Sequence, residues 1–234
     1  MKHYRNINKL WLTSILIVSV VLVACSSEPP APASSTGSSA EKSDAGFGTI
    51  VAVGDSLTAG YGVEEDQAYP ALLQAYLLQE GYFFRVVNAG ISGETSSGTR
   101  SRIAWVIRSL NPDIIILETG ANDGLRGIDP AVLEKNLIEI ITASQAEGVA
   151  VILAGMKMPP NFGLNYTKQF AEVYPRVAKK MGIALIPFFL EGVAGDRRYN
   201  LSDGIHPNPE GYRRVVEHIY PYVLETVKQF SDQP

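Results

Sequence analysis

The chain has 234 residues, 46% of them hydrophobic and 19% charged. That length and composition fit one globular α/β domain plus processing segments, and exclude a disordered chain or two well-filled domains. With 20 Lys and Arg against 24 Asp and Glu and no basic run, nucleic acid is also excluded as a partner, because neutralising phosphates needs clustered positive charge.

In chain order, Lys2, Arg5 and Lys9 precede an apolar stretch over residues 10–24 that is interrupted by Thr13, Ser14 and Ser19. This is the pattern of a signal peptide over residues 1–24. A permanent membrane span is the weaker reading, since spanning takes about 20 apolar residues. The stretch ends Leu22-Val23-Ala24-Cys25, which resembles the lipobox of bacterial lipoproteins, where the cysteine is lipid-modified and becomes the first mature residue. Cys25 is the only cysteine, so no disulfide can form within the chain. Its position and solitude point to lipidation and hence to a membrane partner. Removing residues 1–24 takes three basic residues and no acidic one, moving the formal charge from −4 to −7. The Ser, Pro, Ala and Gly run up to residue 46 has no periodicity that could build a core and reads as a flexible tether. The expected organisation is a signal peptide over 1–24, a lipidated cysteine and tether over 25–46, and one domain over 47–234.

Within the domain, short apolar runs at residues 49–53, 84–88, 113–118, 149–154 and 184–187 read as strands. They are too apolar to face water on either side and alternate with amphipathic stretches, which implies a parallel sheet with helices on both faces. Asp129-Pro130 is a helix start signal, an N-cap acid with proline at the first helical position. Leu133, Leu137, Ile138 and Ile141 follow it at helical spacing. Tyr212, Val215, Val216, Ile219 and Val223 mark a terminal helix, with a kink expected at Pro221.

In such a sheet ligands bind beyond the carboxyl ends of the strands, so the loops there carry the functional signal. Four of them hold unusual polar residues: GDSLTAGYG from Gly54, NAGISGETS from Asn88, GANDGLRG from Gly120, and DGIHPN from Asp203. Alone, each has a plain explanation as a turn or a helix cap. Together they supply a nucleophile, Ser56, a base, His206, and a third group, Asp203, three residues before the base and able to fold back onto its ring. The other histidine beyond the signal segment, His218, lies in the terminal helix pattern and reads as packed or solvated. An oxyanion formed at an attacked carbonyl could meet the backbone N–H of Ser56, the side-chain amide of Asn122, and a backbone N–H from Gly93 or Gly90. Three histidines and scattered carboxylates provide no metal-ligand spacing, and no cofactor is expected.

The four motifs, in this order, resemble those of the GDSL esterases, or SGNH hydrolases, from about Thr49 to the C-terminus. They are most similar to the bacterial thioesterases that also act as arylesterases and lysophospholipases. The resemblance implies a three-layer α/β/α flavodoxin-like fold with a five-stranded parallel sheet. It implies a Ser56–His206–Asp203 triad and an oxyanion hole of Ser56, Gly93 and Asn122, with Gly93 preferred and Gly90 left to serve the turn. The segment Gly124, Leu125, Arg126, Gly127 and Ile128 matches the loop over the acyl site in those thioesterases; the alternative is a plain connection with Arg126 in solvent. The expected activity is hydrolysis of acyl esters and thioesters by a monomer in the bacterial cell envelope, lipid-anchored toward the periplasm or outer membrane. A soluble periplasmic or secreted form is the alternative location. A carbohydrate O-acetylesterase on the same fold is the alternative activity, to be separated by pocket shape, and a non-catalytic lipid- or glycan-binding lipoprotein is weaker still.

Overall fold

The computed structural model describes residues 48–231. The signal segment, Cys25 and the tether lie outside the described residues. Among the described residues, five strands form one sheet: β1 (Gly48–Gly54), β2 (Phe84–Gly90), β3 (Ile114–Glu118), β4 (Ala150–Ala154) and β5 (Ala184–Ile186). Their order is β2-β1-β3-β4-β5, and every neighbouring pair is parallel. All five runs predicted from the sequence are strands, with ends shifted by at most two residues.

Burial explains why these runs read so clearly. Every residue of β3 is buried, and so are six of the seven in β1, which leaves no face for water and selects continuous Val, Ile and Leu. β2 lies at the edge, is mostly half-buried, and tolerates Arg85 and Asn88.

Among the described residues, seven α-helices connect and cover the sheet: α1 (Ser56–Ala59), α2 (Tyr69–Gln79), α3 (Ser96–Leu110), α4 (Ala121–Leu125), α5 (Pro130–Ala146), α6 (Leu164–Met181) and α7 (Pro209–Ser231). One layer is built from α3, α5 and α6 side by side, the other from α2 against α7. The start signal at Asp129 is realised, its carboxylate accepting a hydrogen bond from the Ala131 N–H at 2.9 Å. Helix α7 contains Pro221 and runs helical through it, and α6 likewise contains Pro175. Among the described residues, no helix is long and apolar enough to cross a membrane.

The functional consequence lies in the strand order. β1 is central, and the chain leaves it to one side for β2 and returns on the other for β3. The crevice between the carboxyl ends of β1 and β3 is therefore the topological switch point where such sheets bind ligands. Gly54, Gly90 and Glu118 stand in register at that edge, where three of the four polar motifs lie.

Candidate active site

Ser56 is the first residue of α1, directly beyond β1. Asp55 caps this helix, its Oδ1 accepting from the Leu57 N–H at 3.0 Å, and Gly60 ends it in the left-handed conformation that glycine adopts without strain. The buried Tyr212 of α7 donates its hydroxyl proton to the Leu57 carbonyl at 2.9 Å, so the terminal helix fixes the short helix that carries Ser56.

His206 comes from the far end of the chain, on a loop closed by an antiparallel bridge between Asn200 and Pro207. The Leu201 N–H donates to the His206 carbonyl at 2.8 Å, and Asn208 binds the Gly211 N–H at the start of α7 at 2.9 Å. The imidazole is thereby held 150 residues away in sequence from its partner: His206 Nε2 lies 2.9 Å from Ser56 Oγ, and His206 Nδ1 lies 2.7 Å from Asp203 Oδ2. With Nδ1–H donating to the carboxylate, Nε2 presents its lone pair to the serine hydroxyl.

Asp203 is itself clamped. Its Oδ1 accepts from the backbone N–H groups of Ile205 at 2.9 Å and His206 at 3.0 Å, while Oδ2 takes the imidazole. Partial burial pushes its pKa up, but those two N–H groups and the imidazole outweigh it and hold the carboxyl at about 2. Tyr61 packs over the histidine with ring centroids 4.6 Å apart, fixing the other face of the ring.

Ser56, Gly93 and Asn122 all line one cavity. One proton of the Asn122 amide goes to Asp55 Oδ2 at 3.1 Å, which aims the amide and leaves its second proton as a donor. Gly93 has φ +80° and closes a turn in which the Glu94 N–H donates to the Ile91 carbonyl at 3.1 Å. Glycine at the third position with positive φ is what a type II turn requires. The turn therefore belongs to Gly93. Gly90, expected from the sequence to serve the turn, ends β2 instead, where a side chain would collide with the backbone of Ala59.

Beneath these donors lies a buried polar network. Glu118 Oε2 accepts from the Thr58 hydroxyl at 2.9 Å and the Asp55 N–H at 3.3 Å. Burial, and then the adjacent Asp55 carboxylate, raise the pKa of Glu118 well above the ordinary carboxylate range; burial likewise raises that of Asp55. Gly54 must be glycine, because a side chain there would occupy the position of the Glu118 carboxyl and the Thr58 hydroxyl.

The cavity has a volume of about 370 Å³ and opens beside Ser56 and His206. Its walls include Met156, Met158 and Pro159 after β4 and Phe188, Leu190 and Ala194 after β5. These residues were not singled out in the sequence, where nothing distinguishes them from core. The available signal was their position in loops after strands. Of residues 124–128, Leu125 lines the cavity, and the first part of the segment is helix α4. Arg126 donates to the Gly93 carbonyl at 2.8 Å, and the Ile128 carbonyl accepts from the Tyr166 hydroxyl at 2.8 Å, so the segment is tied to the turn at Gly93 and to α6. His218 donates or accepts at no group of the site; its Nε2 lies 2.9 Å from the Phe188 carbonyl, making it a packing residue behind the cavity wall.

Comparison with known proteins gives the family. Residues 52–214 match the GDSL-like lipase/acylhydrolase family. The chain is 44% identical over 173 residues to Esterase TesA of Pseudomonas aeruginosa, covering 74% of this chain and 86% of that protein. It is 37% identical over 169 residues to Thioesterase 1/protease 1/lysophospholipase L1 of Escherichia coli K12, covering 72% and 80%. A crystal structure of TesA superimposes with a TM-score of 0.74 at 43% identity, covering 76% of this chain and 99% of that one. With Ser56 after the first strand, His206 before the last helix and the matched region spanning both, the chain belongs to the GDSL-like lipase/acylhydrolase family.

Proposed function

We propose that the protein hydrolyses carboxylic acyl esters and thioesters through an acyl-enzyme on Ser56. The observation that carries this reading is the unbroken relay Ser56 Oγ–His206 Nε2–His206 Nδ1–Asp203 Oδ2, at 2.9 and 2.7 Å, at the mouth of an apolar cavity. Ser56 Oγ attacks the carbonyl carbon as its proton passes to His206 Nε2, and the carbonyl oxygen becomes an oxyanion facing the donors of Ser56, Gly93 and Asn122. Collapse breaks the bond to the alcohol or thiol, which leaves with the proton from Nε2. Water then gives a proton to Nε2 and attacks the acyl-enzyme, and Ser56 regains its proton as the acid departs. Asp203 stabilises the imidazolium without accepting its proton.

An apolar wall of Met, Pro, Phe and Leu side chains suits an acyl chain and gives few partners to a carbohydrate, which favours acyl esters over sugar acetates as substrates. Hydrolysis of p-nitrophenyl esters from acetyl to palmitoyl, beside a lysophospholipid and an acyl-CoA, tests this. Rates that peak at medium or long chains are expected; activity confined to acetyl would contradict it.

The sequence further supports cleavage before Cys25, lipidation there, and a tether over residues 26–46 that carries the domain beside an envelope membrane. Such a location concentrates lipid esters at the cavity mouth, where Tyr61, Leu125 and Ile205 are exposed. Growth with a tagged palmitate should label the wild type and leave Cys25→Ser unlabelled. A wild-type protein that takes up no label would refute the anchor.

A further inference from the structure

Arg102 of α3 does not reach the cavity, yet it holds both ends of the loop that forms part of it. Its Nε donates to the Glu94 carboxylate at 2.8 Å, and its Nη2 donates to the Glu94 carboxylate and to the Ala89 carbonyl, each at 2.8 Å. Ala89 lies in β2 before the loop, and Glu94 directly follows Gly93. A third and longer contact, 3.4 Å, runs from Nη2 to the carbonyl of Gly54, which also accepts from the Ile91 N–H at 2.9 Å. Gly54 is the last residue of the nucleophile strand. One guanidinium therefore ties the loop carrying Gly93 to itself and to the strand that leads into Ser56.

The surroundings are shaped for this pair. The Thr99 hydroxyl gives Glu94 a further hydrogen bond at 2.9 Å, and a side chain at Gly98 would strike the Glu94 side chain. Both side chains are largely withdrawn from water, 16% exposed for Arg102 and 8% for Glu94, where a forked, charge-assisted contact is stronger and more directional than at the surface.

We propose that Arg102 and Glu94 form a positioning clamp that sets the backbone donor of Gly93 against Ser56 for the developing oxyanion. This rests on the reading of Gly93 as an oxyanion donor. The clamp touches neither substrate nor the reacting atoms. It acts by fixing a donor whose displacement of about 1 Å is enough to cost about 10²-fold in rate.

Removing either side chain would leave a buried charge unpaired and endanger folding, so the test keeps both charges and changes reach: Arg102→Lys, Glu94→Asp and the double variant, in the full chain. Asn122→Ala serves as a reference for the oxyanion site. Each measurement is made on protein shown to be folded by near-UV circular dichroism. The clamp predicts a kcat lowered about 10- to 100-fold in each single variant with KM within about twofold, and a double variant no worse than the weaker single. Affinity for an alkylboronic acid, which forms a tetrahedral adduct on the serine, should fall by the same factor as kcat. The pH profile of kcat/KM should keep its shape, because the base is untouched. A purely structural pair would lower the melting temperature and leave kcat and boronate affinity unchanged at 20 °C. That result, alongside a crippled Asn122→Ala, overturns the clamp alone. Asn122→Ala and the clamp variants all retaining wild-type kcat would overturn the oxyanion assignment and the clamp with it.

Discussion

Glu118 and Asp203 are both carboxyls near the same serine, and their surroundings drive them in opposite directions. Asp203, on a partly exposed loop, receives two backbone N–H groups and an imidazole and stays ionised down to about pH 2. Glu118, fully buried at the end of β3, receives a hydroxyl and one N–H, has Asp55 beside it, and has a second oxygen without a partner among the described residues. It keeps its proton above the pH at which an exposed glutamate loses it. A carboxyl raised in the folded state binds more protons folded than unfolded. Its contribution to stability is therefore lost as pH rises from the unfolded value, about 4.3, toward the folded one. Glu118→Gln removes that loss, so its melting temperature relative to the wild type should be higher at pH 8 than at pH 5. Thermal unfolding at the two pH values checks this, and a greater relative loss at pH 8 would show Glu118 to be ionised. The hydrogen-bonded relay of Ser56, His206 and Asp203 was legible in the sequence because its members are polar residues beyond the strands, where the sheet needs none. Glu118 was not, since a single acid at the end of an isoleucine run also reads as the strand's last residue.

At the level of elements, the strands were legible because burial on both faces demands unbroken Val, Ile and Leu, a pattern that loops and surface helices do not show. Helix α4 was not, since Ala121–Leu125 is too short to display a period. The two glycines of the second motif could not be told apart by residue type, because one is required by backbone conformation and the other by packing. Gly93 has positive φ and open space where a side chain would go, with nothing closer than Arg126 Nη2 at 3.9 Å. Gly90 has ordinary φ and the backbone of Ala59 against it. Gly90→Ala should therefore force β2 from α1 and destabilise the domain by about 1–3 kcal/mol, the usual cost of overpacking. Gly93→Ala should cost about 1–2 kcal/mol of backbone strain and reduce kcat through the oxyanion turn. Chemical denaturation together with kcat separates the two. A Gly90→Ala variant as stable as the wild type would refute the packing role.

For the whole molecule, topology brings the pieces together: a central first strand, the departure to either side of it, and a last loop that returns His206 to Ser56 across 150 residues. The polar half of the site could be read from motif order. The apolar half could not, because Met156, Met158, Phe188 and Leu190 acquire meaning only when the carboxyl ends of β4 and β5 are seen to flank the cavity. As a hydrolase of the GDSL type with an apolar cavity at its nucleophile, the protein should form its acyl-enzyme at one atom. Rapid quenching during turnover of p-nitrophenyl octanoate, followed by proteolysis and mass spectrometry, reads this directly. The account predicts an octanoyl adduct on the peptide containing Ser56, absent in Ser56→Ala, with hydrolysis reduced about 10⁴- to 10⁶-fold in that variant. An adduct on another residue, or a Ser56→Ala variant that still turns over the ester, would contradict it.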